Sequence, residues 1–241
     1  GTGADLDHAA LRASEQSLAP LGEPGYLGHF ERAVVERGEE FVVERHPHTV
    51  YCRDMAEIIY AINCSLDGYI EDADGSFAWS MPSDDLHRFY NEMMRPVSTS
   101  IYGRKLYETM VVWEDMPLED EPAVMADFAE QWRAQAKVVV STMLEEVSSG
   151  RPTIERTLDP EWVRELAASS SGEIAIGGAQ LAAAAFEHGL IDRIELTRLP
   201  VIVGGGKPVL PSGLKLDLEL VRQTTFPTGE IHASYRVAGN S

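Results

Sequence analysis

Ile176-Gly177-Gly178-Ala179-Gln180-Leu181 decides how this chain is read. It lies between an apolar run, Glu173 to Ile176, and an alanine-rich run, Leu181 to Phe186. The pattern predicts a strand, a tight glycine turn and the N-terminus of a helix that Gly189 stops. Glycines let a ligand approach the backbone closely, and a helix start presents free N–H groups at its positive dipole end. Such a turn can hold a pyrophosphate. It can equally serve only to ease a strand-to-helix connection, so the neighbouring turns matter.

Outward from this stretch, strand and helix patterns alternate from Glu57 onward. Ile58 to Asn63 reads as a buried strand, followed by the turn Ser65-Leu66-Asp67-Gly68. Asp84 to Arg95 reads as a helix with Leu86, Phe89, Tyr90, Met93 and Met94 on one face, Ser83 as N-cap and Pro96 as its stop. Val97 to Tyr102 is a second strand, Pro122 to Ala136 a helix, and Lys137 to Val140 a short β-branched strand. Asp159-Pro160 is an N-cap and N1 pair for a helix through Ala167. Ile194 to Val203 reads as a long strand, and Leu214 to Phe226 with Ile231 to Val237 as a hairpin around Pro227-Thr228-Gly229. The fold class expected is α/β: a mostly parallel central sheet with helices on both faces and an antiparallel C-terminal edge.

Ligands on such sheets bind at the carboxyl ends of strands. The turns after Tyr102, Val140 and Ile176 are therefore expected close together. The first is Gly103-Arg104-Lys105, a glycine and two cations opening a helix. Cations oppose the dipole at a helix start, and an anionic ligand would explain them; a solvated Arg-Lys pair is the plainer reading. The second is Ser141-Thr142, whose hydroxyls suit phosphate or ribose oxygens but can also cap the following segment.

The bulk composition bounds the partners. The chain has 241 residues, 44% of them hydrophobic, enough for one domain with a sizeable core. A formal charge of −19 argues against nucleic acid or an anionic membrane as partner. No apolar run approaches the roughly 18 residues that span a bilayer, and the first residues do not read as a signal peptide. Cys52 and Cys64 give neither a disulfide framework nor a metal quartet, and His46-Pro47-His48 is too isolated for a metal site. A cytoplasmic protein without a metal is expected. Residues 1–54 lack this regular pattern and read as an N-terminal extension, with residues 55–241 as the main domain.

Two nucleotide motifs are missing. No G-x-G-x-x-G follows the first strand. In Val203-Gly204-Gly205-Gly206-Lys207-Pro208 a proline stands where a P-loop needs Ser or Thr, so this stretch reads as a flexible loop.

Tyr60 to Gly68, Gly103-Arg104-Lys105, Ser141-Thr142, Ile176-Gly177-Gly178-Ala179 and Pro200 to Pro208 stand in an order and spacing that resembles the dihydrofolate reductase-like superfamily. The Ser-Leu-Asp-Gly turn, Trp79-Ser80 and Pro200…Gly204-Gly205-Gly206 look closest to the RibD C-terminal branch. That branch comprises the reductase domain of the bifunctional riboflavin-biosynthesis deaminase-reductase and its stand-alone relatives. The resemblance covers about Glu57 to Val237. It implies an NADPH-dependent reductase acting on a small heterocyclic or sugar-derived carbonyl or imine, pteridine- or aminopyrimidine-like, and a homodimer. Carried over, Gly103, Arg104 and Lys105 would meet the 2′-phosphate or pyrophosphate, and Ser141 and Thr142 the adenosine half. Ile176, Gly177, Gly178, Ala179, Gln180 and Leu181 would run beneath pyrophosphate and nicotinamide. Leu106 stands where the family often has Thr or Ser. Asn63, Ser65 and Trp79 fall near the substrate side; Trp79 serves equally as a lid or a core residue. Asp67, Asp84 and Asp85 are the candidate catalytic carboxylates, and the resemblance does not choose among them. A nucleotide-binding or regulatory module without turnover is the alternative on the same fold.

Overall fold

The computed structural model describes residues 55–119, 121–147 and 152–238. The expectations for residues 1–54, Cys52 included, lie outside them. The described elements run β1 (Ile58–Cys64), β2 (Tyr69–Glu71), a 3-10 turn (Ala78–Ser80), α1 (Asp84–Met94), β3 (Val97–Gly103), α2 (Arg104–Met110), α3 (Val112–Asp115) and α4 (Ala123–Ala134). They continue with β4 (Ala136–Val140), β5 (Pro152–Glu155), α5 (Pro160–Ser169), β6 (Glu173–Gly177), α6 (Ala179–Glu187), β7 (Arg193–Arg198), β8 (Lys207–Pro208), β9 (Asp217–Thr225) and β10 (Ile231–Ala238).

One eight-stranded sheet has the order β5-β4-β3-β6-β1-β7-β10-β9. The pairs from β5 to β7 are parallel; β10 then lies antiparallel to both β7 and β9. This is the α/β sheet with the antiparallel C-terminal edge expected from the alternation of patterns. Its central strands are apolar because both faces are covered: Ile58, Ile59 and Tyr60 of β1 and Ile174 and Ile176 of β6 are all buried. On one face α6 contributes Ala182, Ala185 and Phe186 to the core, Phe186 meeting the Tyr60 ring edge-on at 5.7 Å. On the other, Leu86 of α1 and Trp132 of α4 are buried.

The caps follow local chemistry. Ser83 accepts from the Leu86 N–H, and Asp159 from the Glu161 N–H ahead of Pro160 at the first helical position. Gly189 takes φ +60° just past α6.

Three departures from the sequence reading have plain causes. The strand starting near Ile194 ends at Arg198, not Val203: Pro200 has no N–H to give a ladder, and the Val201 N–H turns back to the Leu199 carbonyl. The stretch read as a flexible loop, Val203 to Pro208, is instead anchored. Its β8 pairs antiparallel with β2, and the Asp67 carboxylate accepts from the N–H groups of Val203 (3.2 Å) and Gly204 (2.8 Å). The short strand β5, bonded parallel to β4, carries too little periodic signal to have been read.

Gly206 makes this anchoring possible. It holds φ +133°, and a Cβ there would lie 2.0 Å from the Glu71 carbonyl oxygen, which belongs to the backbone and cannot swing away. Gly206→Ala is therefore expected to lower stability by about 2–4 kcal/mol in urea unfolding. Gly213→Ala, at φ +80° with open space around it, should cost only about 1 kcal/mol. Equal losses in the two variants would refute the packing argument.

Candidate active site

The register of the parallel strands brings three turns to one rim. Tyr102 at the end of β3 stands opposite Gly177 of β6, and Gly103 opposite Val140 of β4. A cavity of about 830 Å³ opens there, within the usual range for small-molecule sites. Gly103, Arg104, Lys105, Ser141, Thr142 and the whole run Ile176 to Leu181 line it, as does Asn63 on its other side. Residues as far apart in the chain as Ala61 and Lys207, 146 positions, thus share one cavity.

The glycine turn is shaped for close approach. Gly178 is the N-cap of α6 with φ +98°, and no side chain caps the helix. The first-turn N–H groups have no intrahelical acceptor, so they stay available to a ligand. Gly177 packs tightly: a Cβ would meet Leu106 Cδ2 at 2.6 Å and the Tyr102 ring at 2.9 Å. Leu106 thus fills the space above the glycine where a hydroxyl was expected.

Charge is concentrated against the balance of the chain. Arg104, Lys105, Arg156 and Lys207 line the cavity, against Glu71 and Glu195. Lys207 pairs with Glu71 at 3.2 Å. Arg104 pairs with Glu108 one helical turn on, at 2.8 Å and half-exposed, a contact weak enough to exchange for a stronger anion. Arg156 donates to the carbonyls of Ser141 (3.0 Å) and Leu144 (2.7 Å), so it fixes the turn after β4. Ser141 Oγ accepts from the N–H groups of Met143 and Leu144. That is the capping role weighed from sequence, and its own proton remains free to donate.

The remaining candidates stand outside the lining. Ser65 is fully buried and accepts from the Tyr69 N–H, organising its turn. Asp67 spends its carboxylate on Val203 and Gly204; hydrogen bonds, led by that from Ser65, hold it below the usual carboxylate range. Asp84 and Asp85 are exposed on the first turn of α1, Asp85 paired with Arg88 at 2.8 Å. The inward face of α1 is set by Leu86, Tyr90, Met93 and Met94, and Asp84 and Asp85 fall off that stripe. Trp79 donates through Nε1 to the Ser76 carbonyl within the 3-10 turn, while its neighbours Phe77 and Ser80 reach the lining.

Sequence reasoning missed the polar floor. Tyr90 of α1 donates to Asn63 Oδ1 at 2.8 Å, which turns the Asn63 amide N–H₂ away from it. Glu195 and Thr197 of β7 also line the cavity. Beside them lies His232 of β10, with Nε2 at 2.8 Å from Glu195 Oε2 and Nδ1 at 3.1 Å from Thr197 Oγ1. Ser234 donates to the other Glu195 oxygen at 2.8 Å, and Arg193 Nε lies 2.6 Å from it. The signal was period-2 alternation: Glu195 and Thr197 share one face of β7, His232 and Ser234 one face of β10. Only the antiparallel register, His232 opposite Thr197 and Ser234 opposite Glu195, brings them together.

Burial pushes the Glu195 carboxyl upward, but hydrogen bonds from His232 and Ser234 and the Arg193 charge outweigh it, and the net shift is downward. A lowered folded value means that its contribution to stability is complete above the ordinary glutamate range. That contribution is lost as the pH falls through the folded value. Glu195→Gln should accordingly flatten the acid limb of the stability-versus-pH curve, followed by urea unfolding at stepped pH. An acid limb unchanged from the parent would show that Glu195 is not held in this way.

Among the described residues no group of His, Cys, Asp and Glu is placed to hold a metal ion, and no helix is long and apolar enough to cross a membrane.

Comparison with known proteins agrees with this fold. YyaP of Bacillus subtilis (strain 168), an uncharacterized protein, is 26% identical over 185 residues, covering 76% of this chain and 95% of its own length. A crystal structure from Shewanella sp. PV-4, named for riboflavin biosynthesis, superposes with a TM-score of 0.61 at 23% identity, covering 77% of this chain and all of that one. The Thermotoga maritima diaminohydroxyphosphoribosylaminopyrimidine deaminase/5-amino-6-(5-phosphoribosylamino)uracil reductase gives a TM-score of 0.57 at 14% identity, covering 77% of this chain and 57% of that one. Enterococcus faecalis dihydrofolate reductase, complexed with NADP(H), gives 0.53 at 12% identity over 76% of this chain and 97% of its own. Residues 56–231 match the RibD C-terminal domain, and the chain belongs to that family.

Proposed function

We propose that this protein is an NADPH-dependent reductase. Its substrate would be a small heterocyclic or sugar-derived carbonyl or imine, of pteridine or aminopyrimidine type. The observation that carries this reading is the meeting of Gly103-Arg104-Lys105, Ser141-Thr142 and Ile176 to Leu181 on the rim of one cavity. The family and the reductases named above support it.

The donor set fits a dinucleotide. The uncapped first turn of α6 offers backbone N–H groups to a pyrophosphate, and Gly178 leaves room for it. Arg104 and Lys105 supply charge for a further phosphate, and the Ser141 and Thr142 hydroxyls suit ribose or phosphate oxygens. The bound cofactor would supply the hydride. The chain's own residues position the reactants and exclude water: Phe77, Met93, Met94 and Phe128 add apolar surface to the lining. Within the same lining, the Asn63 amide, held by Tyr90, offers donors to a carbonyl or ring nitrogen of a flat substrate.

The test is a titration followed by NADPH fluorescence. A saturable change is expected, and Arg104→Ala should weaken NADPH binding about tenfold or more while affecting NADH less, since a charge-assisted contact is worth about 1.5–3 kcal/mol. No saturable change at high micromolar protein would overturn the reading.

A further inference from the structure

The Thr197–His232–Glu195 string is a buried, titratable group beside the cavity that the reading above leaves without a role. His232 and Thr197 are each 1% exposed. Thr197 and Glu195 line the cavity, and His232 stands beside Thr197 on the neighbouring strand β10. We propose that this string stores and delivers the proton that a substrate takes up on reduction in this cavity, with Thr197 as the donor and His232 as the store. The inference rests on the reductase reading.

The hydrogen bonds dictate how it works. An ionised Glu195 only accepts, so His232 Nε2 carries a hydrogen in either state of the ring. The second nitrogen sets the direction of the Thr197 hydroxyl. When the imidazole is neutral, Nδ1 is an acceptor and the Thr197 proton points at it. When the imidazole is charged, Nδ1–H donates to Thr197 Oγ1, and the hydroxyl proton turns away from the ring, toward the Tyr90 oxygen and the cavity that both residues line. One proton on His232 therefore switches Thr197 from a closed to an available donor.

Charged and titratable groups face this switch from several elements. Glu195 lies against the ring, with Arg193 behind Glu195. On α1, the Phe89 ring packs against His232 at 4.6 Å, and Tyr90 stands in hydrogen-bond contact with Thr197. Arg222 of β9 lies over the far side of Phe89, and Glu230, before β10, acts on Tyr90.

The step balances. With a bound dihydronicotinamide supplying hydride to the carbon of a C=N or C=O bond, the π pair would move to the heteroatom. The heteroatom would form its new N–H or O–H bond with the Thr197 proton. Thr197 would recover a proton from His232 Nδ1, leaving a neutral imidazole whose Nε2–H stays on Glu195. A proton from solvent would restore the imidazolium after release. Thr197 is the catalytic group in this scheme; His232 and Glu195 position and supply it.

Nitrogen NMR of the full chain with ¹⁵N-labelled histidine tests this without a substrate. His232 Nε2 should carry its hydrogen in every state of the ring, and the Nδ1 resonance should report the hydrogen bond to Thr197. Glu195→Gln, which removes the carboxylate that holds Nε2–H, should shift the Nε2 resonance. NADP⁺, whose ring carries a positive charge, should shift the Nδ1 resonance relative to NADPH. Thr197→Val should move the Nδ1 resonance and Thr197→Ser should restore it. A ring that carries its hydrogen on Nδ1 and none on Nε2 would overturn the proposal. So would an Nδ1 resonance that is the same with both dinucleotides bound. Failure of either dinucleotide to bind is read separately, from cofactor fluorescence, and removes the reductase reading and this inference together.

Discussion

Arg193 is the constraint on which the cavity depends. Its guanidinium meets Glu57 just before β1, Glu173 at the start of β6 (2.7 Å) and Glu195 within β7 (2.6 Å). One side chain therefore ties together the entering ends of the three central parallel strands. Such a partly buried cluster need not add net stability, because desolvation offsets much of the attraction. Its effect is on register. A slip of one residue in any of these strands would carry a carboxylate away from the guanidinium and turn every side chain to the other face. With the entering ends fixed, the leaving ends at Cys64, Gly177 and Arg198 are fixed too, and the ligand-facing turns follow from there.

The same residues connect that clasp to the cavity floor. Glu195 gives one oxygen to Arg193 and Ser234 and the other to His232. The hydrogen bonds from His232 and Ser234, and after them the charge of the group that sets strand register, keep the carboxylate ionised, so the state of the floor is tied to the alignment of the sheet. On the rim the sign of charge reverses. A chain of net charge −19 gathers Arg104, Lys105, Arg156 and Lys207 around one cavity, and focusing in a concave, low-dielectric site makes such a local exception felt by an anion.

Much of this was legible in the sequence where the signal is local. Ser83, Asp159-Pro160 and Gly189 mark helix ends through their own backbone chemistry, and Gly177-Gly178 after an apolar run announces a strand-to-helix turn. The convergence of the turns after β3, β4 and β6 was also legible, because parallel order places strand ends on one side. What escaped depends on partners distant in the chain. Lys207-Pro208 becomes a strand only because Tyr69 to Glu71 offers an edge 136 or more residues away. Asp67 stood among the candidate catalytic carboxylates, and its carboxylate is the anchor of the Val203-Gly204 backbone. Glu195 and His232 carry no motif; each is one polar residue in an otherwise mixed strand, and only the β7–β10 register makes them a pair.

Leu106 shows how one apolar substitution redistributes the work of a site. A Ser or Thr at this position would lend a hydroxyl to a phosphate. The leucine cannot, but its side chain covers Gly177 and touches the Gly178 position, where a Cβ would lie 3.9 Å from Leu106 Cβ. The glycine turn is thereby held from behind by packing, with Tyr102 on its other flank. On the proposed reading, an anion would be met by groups that need no hydroxyl: the uncapped N–H groups of α6 and the Arg104 and Lys105 charges. Backbone donors have fixed direction and lose little freedom on binding, whereas the two cations act over longer range and are screened by salt. A site built this way takes its geometry from the glycine turn and its selectivity for charge from the helix opposite.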